Sequence, residues 1–462
     1  MLTRLRVKGF KSLEDVEIRF GPLTCVAGIN GVGKSNLFDA ISFLQRLADT
    51  PILEAASSIR NSGIASLFTQ TTTRQAQTIE FEVDMLVGSE VIDDFGREAP
   101  ASATYLRYRL QLRYVPGGVG ESEGIALQGE SLSSLPKAGL AKALGFATSK
   151  QFLSSVHRGT GAVDFINTDD AGQITLRRDG ASGVPARFSA EKANSTVLRL
   201  MNVIDYPTAL AAKREMQAWT TLRLELSALR RPDELYAPSK ISPEGAHLPA
   251  TLERLKSNEA IALQLAMLVP DVDDIFVRVD AERQTKTLYL RSRNGVVHEA
   301  RTLSDGMLRF LALAVIGADV EASGLVCIEE PENGIHPGRV TAILELLKRT
   351  VVDPAFAVAS DNPLRQIIVN THAPALVRNV LLDELIICHA YRRDGALLSV
   401  FSPLQNTWRD APAGDAARNN RAVGLGAVFA YLDGHSETAW PPSGKLNIEQ
   451  EYRQQLAALT SK

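Results

Sequence analysis

Residues 28–35 read GINGVGKS, and the spacing G-x-x-x-x-G-K-S suits a loop that holds a chain of phosphates. Gly31 and Gly33 let the backbone curl until successive N–H groups point inward at phosphate oxygens. Asn30, Val32 and Asn36 complete the loop residues expected at the ligand. Before the loop lies LTCVAG, an apolar run of strand character. After it comes SNLFDAISFLQRL, whose apolar residues recur at helical spacing, so the positive end of a helix adds to the field. Lys34 offers a mobile charge to the β- and γ-phosphates of a nucleotide, and Ser35 offers a hydroxyl to Mg2+. A glycine-rich turn that matches by chance is the alternative, and the flanking strand and helix argue against it.

A second stretch, GLVCIEEPENGIHPG (324–338), runs through Leu325, Val326, Cys327 and Ile328 into adjacent carboxylates, Glu329 and Glu330. Two acids at the tip of a buried strand are costly unless they face a polar opening and a cation. Read alone, a strand that ends in solvated acid explains them equally well. Beside a phosphate loop they gain a task, because a strand neighbouring the loop's own strand can deliver an acid to the Mg2+ shell. Glu329 is the candidate there, through a water, and Glu330 is the candidate base for an attacking water. LSDGM (303–307) precedes a helix, and Ser304 with the N–H groups of Asp305 and Gly306 would make a second phosphate-binding helix start. A plain helix cap is the alternative. IIVNTHAP ends at His372, whose imidazole could reach the γ-phosphate or the water. A structural histidine at a strand end is the bland reading.

Taken in order, these four motifs resemble the ABC-type ATPase head, with Ser304 in the signature motif and ENGIH (332–336) at the D-loop position. The closer resemblance is to the SMC, RecF and OLD-type branch. GFKSL (9–13) is similar to that branch's G-F-[RK]-S-[FL], and GKSN carries Asn36 in place of Thr. IEEPENGIHP and NTHAP resemble AAA-type ATPases of this branch, several of which act in bacterial antiviral systems such as Septu. The resemblance implies an α/β fold, a P-loop NTPase of ABC-ATPase type. Its mixed central sheet would carry an antiparallel β subdomain and an inserted mixed subdomain. It implies ATP and Mg2+ as cofactors and catalysis by Glu330, His372 and Lys34. It also implies a homodimer in which Ser304 of one head reaches the γ-phosphate held by Lys34 of the other. The function expected from it is ATP hydrolysis that controls a separate, nucleic-acid-directed nuclease in antiviral defence. A RecF- or SMC-like DNA-repair clamp is the alternative. An ABC-transporter subunit is a third reading, and GFKSL, GKSN and the absence of LSGGQ speak against it.

The sequence departs from that pattern in places. Glu329 stands where many ABC ATPases carry Asp. The glutamine that such heads direct at the metal has only Gln70, in SLFTQ, as a candidate, and a polar loop residue would look the same. Lys11 is placed to touch phosphate or to lie solvated on the surface. OLD nucleases add a Toprim domain, and the stretch after His372 shows no strand-end Glu with a D-x-D pattern, so no nuclease activity is expected.

These motifs need elements to position them. The chain has 462 residues, which is long for one core. The expected organisation is an N-terminal lobe (1–115), an inserted subdomain (116–272), a C-terminal lobe (273–402) and a tail (403–462). TIEFEVDMLV (78–87) and YLRYRLQLRYV (105–115) alternate strictly and predict antiparallel strands with one solvated face. The second sets Arg107, Arg109 and Arg113 in one stripe, either a contact for DNA or RNA phosphates or solvated residues guarding a sheet edge. PTALAAKREMQAWTTLRLEL (207–226) predicts one helix. Net charge is −3 and charged residues make up 22%, so nothing global announces nucleic acid. No apolar run approaches about 18 residues and MLTRLRVKGFKSL reads as a strand, so neither a membrane span nor a leader is expected. Cys25, Cys327 and Cys388 sit far apart in apolar runs, which fits reduced buried thiols in a cytoplasmic protein.

Overall fold

Leu23–Ala27 is five residues long and buried throughout, as expected of a strand covered on both faces of a parallel sheet. The computed structural model describes residues 1–59, 63–117, 123–159, 161–180, 184–320, 323–410 and 422–432. Among them, the sheet around Leu23–Ala27 has the strand order Thr220–Leu222, Gly324–Glu329, Arg365–Thr371, Leu23–Ala27, Leu385–Arg393, Ala396–Pro403. All neighbours run parallel except the last pair, which is antiparallel. The sheet is thus mixed, as the resemblance to a P-loop NTPase of ABC-ATPase type implies for the central sheet. The helix Lys34–Leu47 lies against it, and its other flank meets an antiparallel sheet through Phe43, which stacks on Phe10 at 5.9 Å between ring centres.

That antiparallel sheet has eight strands, from Ala186–Ser189 through Gln173–Leu176, Asp164–Thr168, Gly124–Ser134, Tyr105–Val115, Thr78–Leu86 and Leu2–Phe10 to Leu13–Arg19. The strict alternation at 78–87 and 105–115 is realised as buried and exposed faces of adjacent strands. The segment 116–272, expected as one inserted subdomain, is divided. Its first part extends this sheet by four strands, while Thr220–Leu222 joins the central sheet. Its last part packs Leu248–Leu255 and Asn258–Leu268 against the small sheet built on Val272–Asp280 and Thr285–Ser292 and against the helix Asp305–Ala318.

Two further expectations change. The single helix over 207–226 stops at Gln217, and Thr220–Leu222 is a strand. The β-branched pair Thr220 and Thr221 favours extension, and pairing to Gly324–Glu329 supplies the backbone partners. The arginine stripe is neither at a sheet edge nor a bare basic strip. Its strand lies inside the sheet, between Thr78–Leu86 and Gly124–Ser134. Arg107 donates to both carboxylate oxygens of Asp84 at 2.6 and 2.7 Å, and Arg109 donates to Glu82 at 2.5 Å. Glu82 also accepts from Arg4, and these guanidiniums hold its carboxyl down at about 2. Arg113 faces Thr78 and is exposed. Charge on this face is therefore largely compensated across strands.

The three cysteines are buried and free. Among the described residues no helix is long and apolar enough to cross a membrane. Much of the expected tail, 411–421 and 433–462, lies outside the described residues.

Candidate nucleotide site

Pairing in register brings the motifs to one end of the central sheet. Asn370 is level with both Glu329 and Val26, and Thr371 is level with Ala27, after which the phosphate loop begins. One expectation needs correction here: the acidic strand does not adjoin the loop strand. Arg365–Thr371, the strand leading to His372, lies between them. This order places the histidine between the loop and the two acids.

The loop has the conformation its glycines predict. Gly31 and Gly33 have φ of 82° and 95°, in the left-handed region. Space around a Cβ at Gly31 is open, whereas a Cβ at Gly33 would stand 2.0 Å from Ser399 Oγ. Lys34 Nζ donates to the carbonyls of Gly28 and Ile29, at 2.6 and 2.9 Å, so its charge is held over the loop. Burial pushes that ammonium below its ordinary range, against the pull of Cys388, Glu330 and Glu332. GFKSL braces the loop from behind. Asn36 Nδ2 donates to Ser12 Oγ at 2.7 Å, Ser12 bonds Ser399 Oγ at 2.6 Å, and Ser399 Oγ donates to the Val32 carbonyl at 2.7 Å. Lys11 has φ of 48° and an ion pair with Asp39 at 2.9 Å, on the loop helix one turn after Ser35. Its side chain is 11% exposed, so it is not solvated on the surface.

Glu330 also has a left-handed backbone, φ 47°, costly for a residue with a Cβ by ~1–2 kcal/mol. Its amide donates to the Asn370 carbonyl at 3.0 Å, which holds the turn. The turn aims its carboxylate away from Glu329 and onto His372, whose Nδ1 lies 2.6 Å from Glu330 Oε1. Two residues on, Glu332 is buried and accepts from the Thr371 hydroxyl; burial raises its carboxyl above the usual range.

Ser304 caps the helix Asp305–Ala318, its hydroxyl accepting from Met307 N at 3.4 Å. Ser304 and Asp305 are exposed, and Arg230 holds Asp305 at 2.6 Å. A Cβ at Gly306 would stand 2.7 Å from the Gly334 carbonyl, so the signature helix rests directly on ENGIH. Gln70 is exposed, and its side-chain amide donates to Ala65 O at 3.0 Å, in the loop beside GFKSL.

Sequence reasoning missed Arg223. It follows Thr220–Leu222, and since Leu222 pairs with Ile328, Arg223 comes level with Glu329. Its guanidinium lies 3.6 Å from Glu329 and 3.5 Å from Asp39. One arginine just after a three-residue edge strand has no motif around it, and reading the segment as helix hid its position.

The residues fit Mg2+ and a nucleotide. Hard oxygen donors, the Ser35 hydroxyl and the Glu329 carboxylate, are the kind Mg2+ takes in small number, the rest coming from phosphate and water. The space in front of Gly31 is open. Among the described residues no cluster of three or more His, Cys, Asp or Glu makes a separate metal site.

Residues 4–90 match the profile of a family described as "AAA domain", and residues 186–378 match "AAA domain, putative AbiEii toxin, Type IV TA system". An OLD nuclease of Thermus scotoductus is 48% identical over 44 residues, which is 10% of this chain and 8% of that protein. A DNA replication and repair protein RecF of Phocaeicola vulgatus is 38% identical over 66 residues, 14% of this chain and 17% of that one. The chain thus spans a small part of the length of these relatives. Among solved structures, an SMC head bound to the C-winged helix domain of ScpA aligns with 87% of this chain and 98% of its own, at TM-score 0.49 and 18% identity. The SMC head domain from Thermotoga maritima aligns with 87% and 98% at TM-score 0.39 and 13% identity. Two segments of the chain thus match AAA-domain families, and shorter stretches are similar to parts of an OLD nuclease and a RecF, on a P-loop fold of ABC-ATPase type.

Proposed function

We propose that this protein binds and hydrolyses ATP with Mg2+ and that two copies close on the nucleotide, the closure controlling a partner that acts on nucleic acid. The observation that carries the reading is the Glu330–His372 contact at the sheet end that also presents the phosphate loop. Lys34 and the loop amides bind the phosphate chain. Mg2+ would be held by Ser35 and Glu329 and would supply charge neutralisation at the phosphates. Glu330 takes the proton of the attacking water, and His372 fixes the orientation of that carboxylate. Hydrolysis is expected to be slow, with ATP setting the lifetime of the closed state.

The partner is proposed to be a separate nuclease in antiviral defence, and similarity to an OLD nuclease supports that class. A second reading, a DNA-repair clamp, is favoured by the match to RecF. The decisive experiment is Glu330→Gln. Nucleotide binding should persist, phosphate release should fall by roughly a hundredfold or more, and ATP should trap a dimer. Unchanged turnover removes Glu330 as the base. Pull-down of the trapped dimer separates the two biological readings by whether a nuclease or DNA alone is retained.

A further inference from the structure

Glu329, the acid assigned to the metal, already faces a cation. Arg223 lies 3.6 Å from Glu329 and 3.5 Å from Asp39, so it spans the acidic strand and the phosphate-loop helix. Both contacts are longer than hydrogen bonds, and the guanidinium is 46% exposed, so it is held by charge rather than by a tight fork. A guanidinium keeps its proton at any working pH, so it can leave Glu329 only by moving.

The fold gives it somewhere to go. A cavity of about 310 Å³ extends away from Glu329, lined by Glu329 and Glu330 and by Arg223, Glu225, Arg309 and Asn333 among others. Glu225 offers another carboxylate on that wall. Departure does not strand Asp39, because Lys11 remains paired with it at 2.9 Å. The backbone of the arginine is anchored meanwhile: Arg223 N donates to Pro243 O and Glu225 N to Glu244 O, each at 2.8 Å. The side chain can swing while the strand end stays put.

We propose that Arg223 is a resident counter-cation that neutralises Glu329 before the metal arrives and is displaced into the adjoining cavity by Mg2+. This rests on the Mg2+–ATP reading of the site. A bare carboxylate next to incoming phosphates would repel them; a neutralised one does not. Arg223 therefore acts as a positioning residue, and it makes the metal compete for its own ligand.

The test is binding of a fluorescent ATP analogue to the full chain across a magnesium titration, for wild type, Arg223→Gln and Arg223→Lys. Without the competitor, the half-saturating Mg2+ concentration of Arg223→Gln should fall by roughly fivefold, the value of one partly exposed ion pair. Arg223→Lys, which keeps a cation, should stay near wild type. Adding Glu329→Gln to Arg223→Gln should abolish the difference that the arginine makes. An unchanged or raised half-saturating Mg2+ in a folded Arg223→Gln overturns the proposal, since a phosphate ligand or a purely structural arginine would behave that way. Wild type that binds no nucleotide with or without metal removes the underlying site reading instead.

Discussion

At the scale of single residues, the loop glycines make the sharpest distinction. Gly31 and Gly33 both need left-handed backbone, yet only Gly33 is enclosed, with Ser399 and Ser12 where a Cβ would go. Gly31→Ala should therefore cost only backbone strain, ~1–2 kcal/mol, and leave measurable ATP binding. Gly33→Ala adds overpacking of ~1–3 kcal/mol and should lower the melting temperature and abolish binding, as read by thermal melts and nucleotide titration. Lys34→Ala should fold normally and lose binding, because its amine serves loop carbonyls on the same short segment. These residues were legible in the sequence because loop chemistry is local: the glycines, the lysine and the serine act within one turn of backbone. Arg223 was not legible, since its meaning lies in the register of Leu222 with Ile328, a pairing across a hundred residues of chain that no local pattern encodes.

Among the elements, the antiparallel sheet was readable and its attachment was not. Period-two alternation gave the strands 78–86 and 105–115, but the charges on their outer face acquire partners only once Glu82 and Asp84 stand opposite Arg109 and Arg107. The same sheet carries a buried titratable group. Glu130, on Gly124–Ser134, accepts from Val197 N at 2.6 Å, Leu198 N at 2.9 Å and Tyr108 Oη at 3.1 Å, tying the turn at 198–200 to the sheet. Burial outweighs those bonds and pushes its carboxyl up to about 7. The folded form then binds the extra proton between the ordinary carboxylate range and pH 7, so stability falls as pH rises through that window. Urea melts from pH 5 to pH 7 should show this decline in wild type, amounting to a few kcal/mol at most. Glu130→Gln should be less stable at pH 5 and should lack that component of the slope; a slope identical to wild type would place the titration elsewhere.

For the whole molecule, the proposed pairing of two copies turns on Ser304. It caps its helix at an exposed surface beside ENGIH, while the phosphate loop is assembled from Leu23–Ala27, GFKSL and Ser399. The resemblance to the ABC-type head implies a sandwich of two heads, and a two-fold pair would satisfy it with one surface used twice. Complementation tests this directly. Ser304→Arg should leave ATP binding to the monomer intact and prevent the ATP-induced dimer, read by light scattering in the Glu330→Gln background. Lys34→Ala and Ser304→Arg chains should each be inactive alone. Mixed in equal amounts, they form pairs in which the intact loop of one chain faces the intact Ser304 of the other, and activity should return to at most about half of the wild-type level, because each mixed pair holds one intact site of its two. A site completed within one chain regains nothing on mixing, because each chain already lacks one of its own two halves.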